Sequence, residues 1–266
     1  MELGFIGCGN MAQAMMTGII KNQVVAAEQI IASDASEEKL NEVQKKFGIT
    51  VTTDNHKTAA EADILVLSVK PQVYGTVIKE IKDDVRKNQI IVTIAAGKAM
   101  EQVERQFGWE VKIVRVMPNT PALVGEGMSG MCCNEYVERS EFEKIIHIFE
   151  SFGKVEEVTE NLMDAVVGVS GSSPAYVYMF IEALADAAVM QGIPRDKAYT
   201  FAAQSVYGSA KMVLETGEHP GVLKDAVCSP AGTTIESVRV LEEKGMRSAV
   251  IEAVASASEK SREMGK

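Results

Sequence analysis

Short apolar runs alternate with amphipathic segments of helical period through the first part of the chain. The apolar runs have the length of strands and lie at 3–7, 29–33, 64–69, 90–94 and 112–117. Segments with the apolar spacing of a helix fall between them, at 37–47, 72–84 and 100–107. This alternation predicts a doubly wound parallel sheet of Rossmann type, with helices on both faces. A further strand–helix–strand unit is predicted at 128–133, 139–152 and 155–158.

From residue 161 onward the strand pattern ends and the spacing of apolar residues is helical. Ser173 is a favourable N-cap and Pro174 takes the first helical position of a helix that runs to Met190. Later helices are predicted at 193–216, 221–227, 233–244 and 247–264. We therefore predict an α/β domain at residues 1–160 and an all-helical domain at residues 161–266.

The predicted helix from Ser173 to Met190 is apolar on nearly all sides. Its only charged residues are Glu182 and Asp186, four positions apart on one narrow stripe. A helix with this pattern is buried almost all round, and the other helices of its domain are too few to cover it. We expect it to be shared between two copies of the chain, in a homodimer or a higher homo-oligomer built from dimers.

The composition is that of a globular protein, with 46% hydrophobic and 24% charged residues. A formal net charge of −10, with no local cluster of lysine and arginine, argues against a nucleic-acid partner. The apolar run at 175–181 is too short to span a membrane, so no membrane association is expected. Met1 and Glu2 lead directly into the first predicted strand, and no targeting segment is expected.

The cysteines and histidines carry no pattern of a disulfide or metal site. Cys8, Cys132, Cys133 and Cys228 form no C-x-x-C pair, which predicts free thiols in a reducing, cytoplasmic compartment. The three histidines are far apart and have no partner at ligand spacing. We therefore expect no metal site.

A glycine-rich turn follows the first predicted strand and begins the first predicted helix. Its sequence from residue 7 to residue 12 is G-C-G-N-M-A, a G-x-G-x-x-A pattern. The first glycine permits a tight turn, the second lets a pyrophosphate approach the backbone, and the small last residue allows close helix packing. The pattern predicts a dinucleotide site formed by Gly7, Gly9, Asn10, Met11 and Ala12.

The ends of three other predicted strands are suited to line the same crevice, because ligands of open α/β sheets bind beyond the carboxyl ends of the strands. Small residues follow the strand at 90–94 and would let a flat nicotinamide ring lie against the backbone. A proline-braced loop after 112–117 presents polar side chains able to bond an amide. We expect cofactor contacts at Val69, Lys70, Pro71, Ala95, Ala96, Gly97, Asn119 and Pro121. Lys70 is interpreted as a cofactor contact rather than as a general acid.

A second candidate site is the turn from Ser229 to Thr234, which has the sequence S-P-A-G-T-T and precedes an amphipathic helix. The first backbone N–H groups of a helix have no partner within it, and together with the helix dipole they attract a small anion. An ordinary capped helix is the alternative interpretation.

Taken together, these segments resemble the pyrroline-5-carboxylate reductase family over essentially the whole chain. The resemblance is carried by G-F-I-G-C-G-N-M-A at 4–12, V-K-P at 69–71, A-A-G at 95–97, R-V-M-P-N-T-P at 115–121 and S-G-S-S-P-A-Y at 170–176. Its most specific part is H-P-G-V-L-K-D-A-V-C-S-P-A-G-T-T-I-E at 219–236.

The resemblance implies hydride transfer from a reduced nicotinamide to C5 of a cyclic imino acid, which gives proline, the last step of proline biosynthesis. It also implies a helical dimerisation domain. The turn would then bind the substrate carboxylate, and the hydroxyl of Thr234 would contact the ring nitrogen as the catalytic group. The substrate-binding residues implied are Ser229, Ala231, Gly232, Thr233 and Thr234.

The choice of cofactor depends on the end of the second predicted strand. Asp34 stands where an acid usually bonds the ribose 2′-hydroxyl of NAD. Ala35 stands where family members that use NADPH often have arginine, although Ser33, Ser36 and Lys39 offer groups for a 2′-phosphate. We predict NADPH, with NADH as the alternative, and cofactor contacts at Ser33, Asp34 and Asn55.

A second departure from the family is Ala231, where glycine is usual. This change is small unless the backbone there needs a positive φ.

The sequence fits two other functions less well. A β-hydroxyacid dehydrogenase shares the N-terminal pattern but uses a lysine in the helix after a Gly-Ser turn, and residues 173–190 contain no lysine. A non-catalytic dinucleotide-binding sensor would have no need of the second anion site.

Overall fold

The computed structural model describes residues 1–265, which form two compact units. The first unit comprises Met1–Ser172 together with residues 255–265, and the second is Ser173–Val254. Residues just after the predicted boundary at 160 still belong to the first unit, because Met163 is fully buried in its core and Val166 packs on Gly130. The division of function at residue 160 stays a prediction.

One eight-stranded sheet forms the centre of the first unit. Its strands in chain order are β1 Leu3–Ile6, β2 Ile30–Ser33, β3 Thr50–Thr52, β4 Ile64–Leu67, β5 Ile90–Thr93, β6 Lys112–Met117, β7 Gly127–Cys133 and β8 Gly153–Glu157. Their spatial order is β3-β2-β1-β4-β5-β6-β7-β8. The strand order reverses between β1 and β4, which confirms the doubly wound architecture and creates a switch point there.

The pairing of β7 corrects the expectation of a wholly parallel sheet. Every other neighbouring pair is parallel, but β6 and β7 are antiparallel. Only residues 118–126 connect these two strands, which is too few for the helical crossover that a parallel pair requires.

Helices cover both faces of the sheet. They are α1 Asn10–Lys21, α2 Glu37–Phe47, α3 Asn55–Glu61, α4 Tyr74–Ile81, α5 Met100–Phe107, α6 Arg139–Glu150 and α7 Met163–Val166. Two hydrophobic clusters result, because successive residues of a strand point to opposite faces. Leu3 and Phe5 of β1 belong to one cluster and Ile6 belongs to the other.

The second unit contains helices alone. Its elements are α8 Ser173–Met190, α9 Arg195–Thr216, α10 Pro220–Val227, α11 Thr233–Glu243 and the first part of α12 Met246–Met264. The predicted N-cap at Ser173 is wrong, because a π-helix at Val167–Gly171 precedes α8 and Ser173 is already helical. Among residues 1–265, no helix has the length and apolar character needed to cross a bilayer.

Helices α8 and α9 pack against each other through small side chains. Ala185, Ala198 and Ala202 are buried at their contact, and alanine allows two helices to approach closely. Ala185 is the only buried residue of α8 within the described chain, although we predicted that this helix is buried almost all round. Its large apolar side chains are therefore exposed in a single copy of the chain, which is what we expect of a helix that is shared between two copies.

Candidate active site

The turn between β1 and α1 lies at the carboxyl end of β1, where the strand order reverses. Gly7 has φ of 100°, and its N–H donates a 2.7 Å hydrogen bond to the carbonyl of Ser33. A Cβ on Gly7 would lie 2.8 Å from the carbonyl oxygen of Ser68. Gly9 has φ of −70° and open space around its Cβ position. The backbone therefore requires glycine at residue 7, whereas Gly9 keeps a surface free for a ligand.

The start of α1 has the properties of an anion site. Gly9 is its N-cap, and no side chain caps the helix, so its first N–H groups are available to a phosphate. Asn10 is exposed and Met11 is half-buried beside them. Ala12 is completely buried, so its small size serves helix packing.

Asp34 braces the glycine-rich turn from the end of β2. One carboxylate oxygen accepts a 2.9 Å hydrogen bond from the N–H of Cys8, and the other accepts one of 2.9 Å from Ser36. The ammonium of Lys39 lies 3.8 Å from the carboxylate and is half-exposed. Both oxygens of the acid predicted to meet the ribose are thus already bonded to backbone, and Lys39 is the nearby group best placed to receive a phosphate.

Ser33 and Asn55 bond to each other at the carboxyl end of β2. The hydroxyl of Ser33 donates to the side-chain oxygen of Asn55 at 2.7 Å, and the Asn55 amide donates to Glu80 at 3.0 Å. Ser33 is fully buried. Two residues predicted from the sequence as cofactor contacts thus lie together, and Asn55 is the more accessible of them.

At the end of β4, a residue that sequence reasoning missed connects the strand to the glycine-rich turn. The hydroxyl of Ser68 donates to the carbonyl of Gly7 at 2.7 Å. A hydroxyl directly before the V-K-P segment was the available signal. Val69 and Pro71 are half-buried at this exit, and Lys70 is exposed with no ion pair to residues 1–265. All three residues are accessible enough to contact a cofactor.

The small residues after β5 are explained in part by packing. Ala95 is buried and Ala96 is half-buried. Gly97 has φ of 71°, and a Cβ there would lie 3.0 Å from Cβ of Met264 and 3.1 Å from the carbonyl of Ser261. We attributed the small size of Gly97 to room for a nicotinamide, but the end of α12 already requires a glycine at this position.

Asn119 holds the loop after β6 in place. Its amide nitrogen donates to the carbonyl of Ser170 at 3.0 Å, and its amide oxygen accepts from the N–H of Met128 at 2.8 Å. The side chain is almost fully buried. The polar group expected to bond a nicotinamide amide is therefore engaged with backbone, and Pro121 is the second residue of the short 3₁₀ turn Thr120–Val124 beyond it.

The Ser229–Thr234 turn belongs to the second unit. Gly232 is the N-cap of α11, which has no side-chain cap, and its N–H donates to the carbonyl of Ser229 at 3.0 Å. Ala231 has φ of 57°, so this turn does need the left-handed backbone that glycine favours. Within residues 1–265, the hydroxyls of Ser229, Thr233 and Thr234 have no hydrogen-bond partner. Free N–H groups and free hydroxyls meet at one helix start.

The thiol of Cys8, inside the glycine-rich turn, is unreactive. Burial, with a smaller effect from Asp34, raises its pKa to about 12, so it stays protonated and is no nucleophile. All four cysteines are free. Within the described part of the chain, no group of three possible metal ligands occurs.

The fold and the glycine-rich turn define the first unit as the nucleotide-binding part of an oxidoreductase. An uncapped helix start lies at the switch point of a doubly wound sheet, which is where such folds bind dinucleotides. Residues 2–97 match the family described as NADP oxidoreductase coenzyme F420-dependent. Residues 160–264 match the family of pyrroline-5-carboxylate reductase dimerisation.

Relatives of the whole chain identify the family. The chain is 51% identical over 265 residues to pyrroline-5-carboxylate reductase of Escherichia coli, covering 100% of this chain and 98% of that protein. The Coxiella burnetii enzyme structure superposes with a TM-score of 0.93 at 34% identity, and the NADP-bound Plasmodium falciparum structure with 0.91 at 35%. Each structure covers 100% of this chain, which covers 98% of each of them. The chain belongs to the pyrroline-5-carboxylate reductase family.

Proposed function

We propose that this protein is an NAD(P)H-dependent oxidoreductase that reduces 1-pyrroline-5-carboxylate to L-proline. The observation that carries this conclusion is the 51% identity to an enzyme of that name over the full length of both chains. The open glycine-rich turn at a helix start supports it independently, because it offers the dinucleotide site that such a reduction needs.

The proposed chemistry asks little of acidic and basic side chains. When bound, the reduced nicotinamide would supply a hydride to C5 of the protonated imine, whose nitrogen becomes the secondary amine of proline. A protonated imine is already electrophilic, so the protein's task is to position the reactants, which contributes several kcal/mol to lowering a barrier. The absence of an acid–base pair among the predicted site residues agrees with this division of work.

The direct test measures NADPH and NADH oxidation by the purified protein, with and without 1-pyrroline-5-carboxylate, together with proline formation. We expect consumption that depends on the imine and yields one proline for each cofactor oxidised. A folded protein that binds either cofactor but consumes neither would overturn the proposal and favour a sensor.

We propose that the Ser229–Thr234 turn binds the substrate carboxylate and that the Thr234 hydroxyl contacts the imine nitrogen. The free hydroxyls and uncapped N–H groups of this turn support the assignment. Thr234→Val should lower kcat/KM for the imine about tenfold to a hundredfold, since one hydrogen bond to a charged group is lost. NADPH affinity should stay unchanged, and Ser237→Ala, one turn further along α11, should behave as wild type. Unchanged kinetics of Thr234→Val would remove that residue from the site.

We propose NADPH as the preferred cofactor. Asp34 bonds the backbone through both oxygens, while the half-exposed ammonium of Lys39 lies beside it and can pair with a 2′-phosphate. Lys39→Ala should raise KM for NADPH about tenfold and leave KM for NADH nearly unchanged. Lys45→Ala, in the last turn of the same helix, is the matched control. Equal losses with both cofactors would contradict this role.

A further inference from the structure

A small cavity lies in the first unit beside the connection from β5 to α5. Its volume is about 270 Å³, and its polar lining consists of Gln102, Arg115, Asp164, Ser261 and Arg262. None of these residues is among the cofactor or substrate contacts assigned above. The cavity is large enough for one small organic molecule or several waters.

Two buried polar atoms at this cavity have no hydrogen-bond partner among residues 1–265. One is Nε of Arg115, a donor, and the other is Oε1 of Gln102, an acceptor. Arg115 is 4% exposed. Its guanidinium is held in place because Nη1 donates to Glu160 at 3.1 Å. An occupant that carries both an acceptor and a donor therefore suits the residues that line the cavity.

The charges of the lining have both signs. Arg262 is exposed at the rim and forms no ion pair with the described residues. Asp164 accepts a 2.6 Å hydrogen bond from the hydroxyl of Ser261 and likewise has no cationic partner there. A lone anion in the cavity would face Asp164, and a lone cation would face Arg262 and also Arg115, which is already paired with Glu160. A zwitterion satisfies both kinds of group.

We propose that this cavity binds a small α-amino acid in its zwitterionic form. The carboxylate lies toward Arg115 and Arg262, and the ammonium lies toward Asp164 and the orphan oxygen of Gln102. The site goes beyond the reductase function and does not depend on it. Gly97 also lines the cavity, so an occupant would lie next to the loop that we predict to contact the nicotinamide.

Calorimetric titration of the full-length protein with L-alanine tests the proposal, with L-alaninamide and N-acetyl-L-alanine as ligands that lack one charge. We expect one L-alanine bound per chain and binding about tenfold weaker for each of the other two, since each loses a charge-assisted contact. Binding of N-acetyl-L-alanine or L-alaninamide as tightly as L-alanine would overturn the zwitterion assignment. No binding of L-alanine at millimolar concentration would mean that the cavity holds only water and would overturn the site.

Substitutions test where in the molecule L-alanine binds. Arg262→Ala changes an exposed side chain and should fold normally, and we expect L-alanine to bind it about tenfold more weakly. Gln102→Leu should weaken binding as well, whereas Lys260→Ala, on α12 like Arg262, should not. Thr234→Val should also leave L-alanine binding unchanged. Loss of binding in Thr234→Val but not in Arg262→Ala would put L-alanine in the substrate turn and overturn the proposal.

Discussion

Ala231 occupies a backbone conformation that alanine tolerates poorly. Its φ of 57° lies in the left-handed region, which costs an L-residue about 1–2 kcal/mol and glycine almost nothing. Ala231→Gly should therefore raise the free energy of unfolding by up to about 1 kcal/mol, measured by urea denaturation. The same substitution at Ala226, inside α10, should lower it by about 1 kcal/mol. A loss of stability in both variants would show that the left-handed conformation carries no strain.

Gly7 and Gly9 of the glycine-rich turn are needed for different reasons, and substitution to alanine can distinguish these reasons. Gly7→Ala should cost about 1–3 kcal/mol of stability, because the added methyl meets the carbonyl of Ser68 at a positive φ. Gly9→Ala should change stability by less than about 0.5 kcal/mol, since its surroundings are open. Its NADPH affinity should nevertheless fall about tenfold, because the methyl occupies the surface offered to the pyrophosphate. Urea unfolding and NADPH titration measure the two effects, and normal NADPH binding by Gly9→Ala would contradict the cofactor assignment.

At the scale of single elements, the first turn of α5 is held by Glu160, a residue from a distant segment that also forms an ion pair with Arg115. Glu160 accepts a 2.6 Å hydrogen bond from the N–H of Met100 and also binds buried Arg115. Glu160→Ala would leave that guanidinium buried without a counter-charge and should cost about 3 kcal/mol in urea unfolding. Glu156→Ala, at an exposed position of β8, should be close to neutral. Equal stability of the two variants would show that Arg115 finds another partner.

The pattern of apolar residues predicted most strands and helices, because a parallel sheet buries both faces and its strands read as unbroken apolar runs. It missed β3, whose three residues Thr50–Thr52 are all half-buried. The direction of β7 was also wrong, since it follows from the short connection rather than from periodicity. The sequence singles out the glycine-rich turn and the loops beside it, but it does not give the structural reason for each residue there. Gly97 and Asn119 are constrained by segments remote in the chain, which local patterns do not reveal.

For the whole molecule, the apolar surface of the helical unit predicts association. Met179 of α8 is 68% exposed and Met190 is 83% exposed, and side chains of this kind are seldom left in water in such numbers. The match to the family's dimerisation domain supports a homo-oligomer, and we propose the dimer as its unit. Met179→Glu should shift sedimentation toward a single chain, because it places a charge in an apolar interface.

Val124→Glu is the control for this experiment. Val124 is 78% exposed but lies in the first unit, so its substitution should leave the sedimentation coefficient unchanged. Dissociation of both variants alike, or of neither, would argue against an interface formed by α8.

The discontinuity of the first unit has a consequence for synthesis. Its sheet is encoded before residue 160, yet residues 255–265, which include the end of helix α12, also belong to the unit, and Gly97 packs against Met264. Domains generally fold as they leave the ribosome, the N-terminal part first. Here the loop after β5 receives this packing partner only after residues 255–265 have been synthesised. A nascent chain can therefore form its sheet early, but the loop at Gly97, which we predict to contact the nicotinamide, is packed only after the last part of α12 has been made.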